Sequence, residues 1–342
     1  MDLKGASVLI WDIDGVLVFV RESYREAIVG SAQYYFSELM GLKLSDSLLS
    51  VEDTQRFKMI EGFNDDWKVA YAFVLCLLAK LASQNPEISS VDVSARDFGA
   101  RAEVLGKLGS VVGNRDLKLD YAKIADEIAV SGVGLEGAEK ALSKLFGPQS
   151  VEVAKRFWFT DVVKRVFQEI YLGKVFFKEK YGEDPLFVNG LGLIRNERSL
   201  VSLKTFEKLS ERFRMGVATG RERFEAEYSL KEYGFDQFIP EDLIVASEDV
   251  ERGKPDPISL LECRRRVCAK YGLSGDVKAI YVGDSVDDVR ASKNAGFFSV
   301  ACLTASLGVE EKSKLMKEFR RLKCDLVLEG ADKLSHIVGF VT

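Results

Sequence analysis

Histidine is almost absent from this chain of 342 residues, because the one histidine is His336, close to the end of the sequence. Serine–histidine and cysteine–histidine catalysis would both depend on this single residue, and metal sites built from several histidines are excluded. Any catalysis would therefore rest on carboxylates, lysine, arginine, hydroxyl groups or a metal held by oxygen ligands.

Cysteine is also scarce, and its spacing matches neither a zinc site nor a disulfide framework. The number of cysteines is odd, and no two of them form a C-x-x-C pair. We therefore expect free thiols in a reducing compartment, most of them buried. They are Cys76, Cys263, Cys268, Cys302 and Cys324.

Excess positive charge and long apolar runs are missing as well. A net charge of −5 argues against nucleic acid as the main partner. The longest apolar run, residues 69–82, is too short to span a bilayer and contains Lys80, so we expect a buried helix and no membrane partner. No signal peptide is visible at the first residues. These features predict a cytoplasmic protein, either a monomer or a homodimer.

Helical and strand patterns divide the chain into three zones. Residues 1–18 form one strand and its exit turn, residues 19–194 carry long amphipathic helical stretches, and residues 195–342 alternate short apolar strands with helices. That alternation is typical of a parallel sheet, whose central strands are nearly continuous apolar runs such as VLIW at 8–11. We expect an α/β fold with a Rossmann-like parallel-sheet core from residues 1–18 plus 195–342. A mainly α-helical domain, residues 19–194, is inserted in it.

Polar residues stand at the carboxyl ends of the predicted strands, where ligands bind in open α/β sheets. Two of these ends carry carboxylates, which would repel one another unless a hard divalent cation such as Mg²⁺ lay between them. The pattern indicates phosphoryl transfer, with hydroxyl, ammonium and backbone amide groups holding the phosphoryl oxygens. The residues are Asp12, Asp14 and Gly15 after the first strand, Thr219, Gly220 and Arg221 after MGVAT, Lys254 after LIVAS, and Asp284, Ser285, Asp287 and Asp288 after AIYVG.

Four segments in this order resemble the motifs of the haloacid dehalogenase superfamily of hydrolases. They are WDIDGVL at 11–17, VATGR at 217–221, GKPDP at 253–257 and GDSVDD at 283–288. The resemblance covers residues 1–18 and about 195–330, and it implies the fold of that superfamily for the core domain. An insertion directly after the first motif is where this superfamily carries its helical cap, and the length of 19–194 leaves room for an extra lobe.

The resemblance also implies a role for each motif residue. Asp12 corresponds to the nucleophile and a metal ligand, and Asp14 to the general acid and base that also touches the metal through its backbone carbonyl. Thr219 and Lys254 correspond to the groups that hold the phosphate. The remaining implied positions are Gly15, Gly220 and Arg221 beside the phosphate, Asp284 as a metal ligand, and Asp288 in the outer metal shell, a task that Asp287 could share.

The presence of an acid at Asp14 favours a phosphatase or phosphomutase over a dehalogenase, because a halide leaving group needs no proton. The leading hypothesis is a Mg²⁺-dependent phosphatase that hydrolyses a small phosphorylated metabolite, a phosphate monoester, through an aspartyl-phosphate on Asp12. A sugar-phosphate mutase remains open, and so does phosphonate cleavage through a Schiff base on a lysine such as Lys58 or Lys68. A non-catalytic regulatory protein that binds phosphate and metal is the fourth possibility.

Two segments of the inserted domain allow a functional and a structural interpretation. GFNDDWK at 62–68 could bring Asn64, Asp66 and Trp67 to a substrate, or Asp65 or Asp66 could cap the helix that begins near Trp67. GVGLEG at 132–137 matches G-x-G-x-x-G, but the preceding residues have a helical pattern instead of the strand that dinucleotide binding requires. We therefore expect a helix–helix turn there.

Overall fold

We describe a computed structural model of the chain, which covers residues 5–44, 46–63, 65–113, 116–303 and 308–339. The chain divides into two compact units. The core unit consists of Met1–Val20 and Glu197–Thr342, and the inserted unit consists of Arg21–Asn196. The corresponding boundaries expected from the sequence follow residues 18 and 194.

The inserted unit is built almost entirely from helices. Its long apolar run lies in a helix that is buried along most of its length, as expected. No helix within the described ranges is both long enough and apolar enough to cross a membrane. The helices are α1 Glu26–Tyr34, α2 Val51–Lys58, α3 Asp66–Gln84, α4 Phe98–Val112, α5 Tyr121–Ser131, α6 Gly134–Phe146, α7 Pro148–Arg156 and α8 Thr160–Tyr181.

The GVGLEG segment joins two helices, as predicted: Gly132 and Val133 form the connection, and the other four residues begin α6. α5 ends at Ser131 and α6 begins at Gly134, so no strand precedes the glycines. A Cβ atom on Gly137 would lie 2.6 Å from the carbonyl carbon of Gly132. The glycines therefore allow the turn and the first part of α6 to approach each other closely.

The core unit contains a six-stranded parallel sheet in the order β5-β4-β1-β6-β7-β8. Val8 to Trp11 of β1 are completely buried between β4 and β6, which confirms the predicted central strand. A separate antiparallel pair, β2 and β3, lies where the chain leaves and re-enters the core unit. The strands are β1 Ala6–Trp11, β2 Val18–Phe19, β3 Arg198–Ser199, β4 Arg214–Ala218, β5 Ile244–Val245, β6 Lys278–Gly283, β7 Phe298–Cys302 and β8 Leu326–Leu328.

Helices between these strands pack against the sheet. The helix that follows β5 contacts β1, β4 and β5, and the helix that follows β6 contacts β6 and β7. All five cysteines are free, as expected, and three are fully buried. The helices of the core unit are α9 Leu203–Ser210, α10 Arg223–Glu232, α11 Ile258–Tyr271, α12 Val286–Asn294, α13 Val309–Arg321 and α14 Leu334–Gly339.

Candidate active site

Asp12 is the first residue beyond β1 and lies at the carboxyl end of the sheet. Its amide donates to the carbonyl of Val282 at 2.9 Å, which continues the ladder between β1 and β6, and the residue is 5% exposed. Its Oδ1 accepts the amide of Ile13 at 2.9 Å. The chain then turns through Gly15, whose φ of +69° is left-handed. This tight exit turn fixes the Asp12 carboxylate at the edge of the sheet instead of in its interior.

Lys254 joins two carboxylates that come from different strands. Its Nζ lies 2.8 Å from Oδ2 of Asp12 and 2.7 Å from Oδ1 of Asp288. The Tyr281 hydroxyl lies 3.0 Å from this Nζ and 3.0 Å from the same Asp288 oxygen. The Lys254 side chain is only 4% exposed, so its ammonium interacts with the two carboxylates in a poorly solvated environment, where such contacts are strong.

Asp288 is held in place by the N-terminus of α12. Its Oδ2 accepts hydrogen bonds from the amides of Asp284 and Ser285, at 3.1 and 3.0 Å, and from the Ser285 hydroxyl at 2.7 Å. The Ser285 hydroxyl in turn accepts the amide of Asp288, which completes a capping box. A Cβ atom on Gly283 would lie 2.3 Å from that of Asp288, so glycine is required before this turn.

The two buried carboxylates differ in how well the protein stabilises their charge. Burial raises the pKa of Asp12 to about 7, and Asp288 and Asp14 contribute in the same direction, whereas Lys254 opposes the shift. Burial would also raise the pKa of Asp288, but Lys254 and hydrogen bonds from Ser285 outweigh it, so that pKa is lowered. Asp12 is therefore the carboxylate whose negative charge the protein groups leave incompletely compensated.

Three carboxylates form a group that fits a hard divalent cation. One oxygen each of Asp12, Asp284 and Asp288 lie within 4.8 Å of one another. Carboxylate oxygens are the ligands that Mg²⁺ prefers, and the uncompensated charge of Asp12 is what a cation would neutralise. Oδ1 of Asp287 instead lies 3.7 Å from Nη1 of Arg290. The geometry thus favours Asp288 over Asp287 for the metal shell.

Asp14 lies apart from the three carboxylates, against Arg221. Nε and Nη2 of Arg221 lie 2.7 and 2.6 Å from its Oδ1. Nη1 and Nη2 each bind a different carboxylate oxygen of Glu197 at 3.1 Å, and Nη1 also donates to the Ser229 hydroxyl at 2.6 Å. These contacts use all five N–H groups of the guanidinium. Binding of phosphate by Arg221 stays a prediction; in the structure its guanidinium contacts two carboxylates and a hydroxyl.

Thr219 and Gly220 lie at the end of β4, the strand beside β1. The Thr219 amide donates to Val245 at 3.0 Å, and its hydroxyl accepts the amide of Arg221 at 3.2 Å. Thr219 is 4% exposed, whereas Gly220 is exposed and a Cβ atom there would contact nothing within 4 Å. The end of β4 therefore combines a fixed hydroxyl with an open stretch of backbone.

The GFNDDWK segment has its observed contacts within the inserted unit. Asp65 caps α3 by accepting the amide of Trp67 at 2.9 Å, which confirms the capping interpretation for that residue. Asp66 forms an ion pair with Lys58 at 2.9 Å, and Nζ of Lys164 lies 3.5 Å from the centroid of the Trp67 ring. Asn64 lies outside the described residues. Binding of a substrate by Asn64, Asp66 and Trp67 stays a prediction.

Three residues with a part in this site were not identified from the sequence: Glu197, Ser229 and Tyr281. A sequence signal exists for Tyr281, which lies two residues before Gly283 in β6 and hence on the same face of the strand. A buried tyrosine hydroxyl needs a partner, and the carboxyl end of the strand offers one. Glu197 and Ser229 carry no comparable signal, because Glu197 binds Arg221 from the segment before β3 and Ser229 lies within α10.

Comparisons with known proteins agree with the motifs. Residues 201–302 match the family model described as haloacid dehalogenase-like hydrolase. The chain is 33% identical over 137 residues to pyrophosphatase PpaX of Halalkalibacterium halodurans, which covers 40% of this chain and 57% of that protein. It is 24% identical over 148 residues to phosphonoacetaldehyde hydrolase of Latilactobacillus sakei, covering 40% and 53%. The chain thus spans about half the length of the curated relatives it matches.

One solved structure matches the fold of the whole chain. A Northeast Structural Genomics Consortium target aligns with a TM-score of 0.67 over 98% of each chain, at 18% sequence identity. At that identity the likeness concerns the fold alone. The family match to residues 201–302 covers the part of the chain that carries three of the four motifs at the strand ends, so this part is similar to the haloacid dehalogenase-like hydrolases.

Proposed function

We propose that the protein is a Mg²⁺-dependent phosphatase that hydrolyses a small phosphate monoester through an aspartyl-phosphate on Asp12. One observation carries this proposal: the Asp12 carboxylate lies at the end of the central strand, within 4.8 Å of oxygens of Asp284 and Asp288 and in contact with Lys254. A nucleophilic carboxylate, a cation-binding set and a fixed ammonium are the groups that phosphoryl transfer to an aspartate requires.

Each of these side chains would have its own role in the reaction. Asp12, Asp284 and Asp288 would hold the cation, which would neutralise charge on the phosphate and on Asp12. Asp12 attacks phosphorus, while the Thr219 hydroxyl and the Lys254 ammonium hold phosphoryl oxygens. Lys254 is already fixed by Asp12 and Asp288, so little reorganisation of this cation is needed during the reaction.

Asp14 would move the proton in both half-reactions. It donates a proton to the leaving alcohol as the bond between phosphorus and the ester oxygen breaks, and it then takes a proton from the water that hydrolyses the aspartyl-phosphate. By its place in the sequence, directly after the first motif, the inserted unit would be the cap that excludes bulk water during the first step. Asp14 is 29% exposed, so its side chain is accessible from solvent.

The direct test is phosphate release from p-nitrophenyl phosphate by the full chain in the presence of Mg²⁺. Wild-type protein should release phosphate, chelation with EDTA should stop the release, and added Mg²⁺ should restore it. Asp12→Asn should abolish turnover, whereas Asp242→Asn, at an exposed ion pair with Lys270, should not change it. Equal release by wild type and Asp12→Asn would contradict the proposal.

Pyrophosphate is a second candidate substrate, because two matched relatives are named pyrophosphatase PpaX, at 33% and 32% identity. A screen of phosphorylated metabolites should therefore include pyrophosphate beside the monoesters. A preference for pyrophosphate of tenfold or more in kcat/KM would replace the monoester in the proposal. A mutase would instead convert one sugar phosphate into another without releasing phosphate, and the same screen with product analysis separates the two.

A further inference from the structure

A buried network of charged side chains links Asp14 to the strand by which the chain re-enters the core unit. Arg221 has a completely buried side chain and lies between Asp14 on one side and Glu197 on the other. The Glu197 side chain is also completely buried, and it immediately precedes β3. The Ser229 hydroxyl, on α10, accepts the one remaining N–H of the guanidinium.

The desolvation free energy of these buried ions makes the arrangement an unfavourable way to stabilise the fold alone. Removing an arginine and a glutamate from water costs several kcal/mol for each ion, and apolar residues of similar volume often stabilise a core equally well. The ion pair does fix the orientation of the guanidinium, because this planar group binds carboxylates in a fixed geometry. Glu197 binds the two terminal nitrogens in the bidentate mode, so the remaining edge of Arg221 is aimed at Asp14.

Arg221 contacts only one of the two carboxylate oxygens of Asp14. Both Nε and Nη2 of Arg221 bind Oδ1 of Asp14, at 2.7 and 2.6 Å. Among the described residues, no hydrogen bond occupies Oδ2, and the Asp14 side chain is 29% exposed whereas Arg221 is buried. The carboxyl group is therefore anchored to Arg221 through one of its two oxygens.

We propose that Arg221 is a positioning residue for Asp14, and that Glu197 and Ser229 hold Arg221 in the orientation this requires. The inference rests on the proposed phosphatase function and assigns the network a part in protonation of the leaving group. Oδ2 of Asp14 gives its proton to the ester oxygen as the P–O bond breaks, and it recovers a proton from the attacking water. Arg221 neither gains nor loses a proton in the cycle.

Two substrates of nearly the same shape separate this role from a purely structural one. Nitrophenolate leaves readily without a proton, whereas the phenolate of phenyl phosphate is a much poorer leaving group and benefits from protonation. Arg221→Lys keeps the charge but loses the fork-shaped geometry. It should lower kcat/KM for phenyl phosphate by roughly 10- to 100-fold, since a positioned general acid contributes 10²–10⁴-fold, and lower that for p-nitrophenyl phosphate less than about threefold.

Glu197→Gln and Ser229→Ala provide milder perturbations in case Arg221→Lys does not fold. Each should change the ratio between the two substrates in the same direction, with a smaller factor. Arg165→Lys is the matched control, because Arg165 pairs at 2.5 Å with Glu169, whose side chain is also completely buried, in the inserted unit. This control should lower the kcat/KM values for both substrates, if at all, by the same factor.

Combination with Asp14→Asn tests whether Arg221 acts through Asp14. In that background Arg221→Lys should have no further effect on the ratio between the two substrates, because the group that it positions no longer moves a proton. An unchanged ratio in the single variants, or additive effects in the double variant, would overturn the positioning role while leaving the phosphatase proposal intact. A wild-type protein that hydrolyses neither phosphate ester would overturn both proposals.

Discussion

Gly283→Ala is the substitution for which the structure predicts the largest effect from the smallest chemical change. The added Cβ would lie 2.3 Å from Cβ, 2.5 Å from Cγ and 2.8 Å from Oδ2 of Asp288. An ordinary contact begins at about 3.4 Å, so Asp288 must move by about 1 Å. Asp288 has little freedom to do so, because its two oxygens accept hydrogen bonds from the first turn of α12, from Lys254 and from Tyr281.

The expected cost is the sum of two effects. Forcing an extra methyl group into a packed site costs roughly 1–3 kcal/mol, and loss of the capping box at α12 costs about 1 kcal/mol. We therefore expect Gly283→Ala to lower the free energy of unfolding by about 2–4 kcal/mol, measured by urea denaturation followed by circular dichroism. Lys254 would also lose one of its two carboxylate partners, so phosphate release should fall with stability.

A glycine in the same unit provides the control. At Gly253 a Cβ atom would contact nothing within 4 Å, and the residue is exposed, so Gly253→Ala should change the free energy of unfolding by less than about 0.5 kcal/mol. If Gly283→Ala is as stable as this control, the close approach between Gly283 and Asp288 does not constrain the fold, and the reasoning is wrong.

Three further substitutions probe other parts of the chain. Asp65→Ala removes the N-cap of α3 and should cost about 1 kcal/mol in urea denaturation; no loss would show that the cap is dispensable. Gly137→Ala would place a Cβ 2.6 Å from the Gly132 backbone and should cost roughly 1–3 kcal/mol by the same assay, with an unchanged midpoint as the contrary result. Asp325→Asn should cost about 1 kcal/mol at pH 7, and the difference should become smaller as the pH falls below about 4, as measured by thermal melts across this range.

The sign of the Asp325 effect follows from its contacts. Burial would raise the pKa of Asp325, but hydrogen bonds from Lys293 and Ser299 outweigh it, so the folded-state pKa is lowered. A carboxyl group of this kind stabilises the fold above its unfolded pKa of about 4, and that stabilisation is lost as the pH falls through the lower folded value. A difference between wild type and Asp325→Asn that does not decrease between pH 7 and pH 2 would contradict this assignment.

The sequence was sufficient to predict the sheet and the edge at which the site lies. The apolar run before Asp12 is typical of a strand buried on both faces, and strands of one parallel sheet bring their carboxyl ends to a common edge. Asp12, Lys254, Asp284 and Asp288 could therefore be grouped although they are far apart in the chain, and the structure does bring them together.

The role of Arg221 could not be predicted in the same way. An arginine after a strand end is equally suited to a phosphate and to a carboxylate, and the choice depends on which partner comes first within reach. That partner is Glu197, in the segment where the chain returns from the inserted unit, and pairing of β2 with β3 fixes this segment beside the exit turn of β1. The neighbouring sequence does not indicate such a contact, so the pairing of Arg221 with Glu197 and Asp14 could not be predicted.

Asp12 and Asp14 are separated by one residue, but their charged neighbours differ. Asp12, Asp284 and Asp288 contribute three negative charges when ionised, and Lys254 contributes one positive charge, so this group has a deficit that a divalent cation would match. Asp14 instead has its own buried cation in Arg221, which Glu197 holds from the other side. A single residue between the two aspartates thus separates a carboxylate of the candidate cation site from one that is paired with a buried arginine.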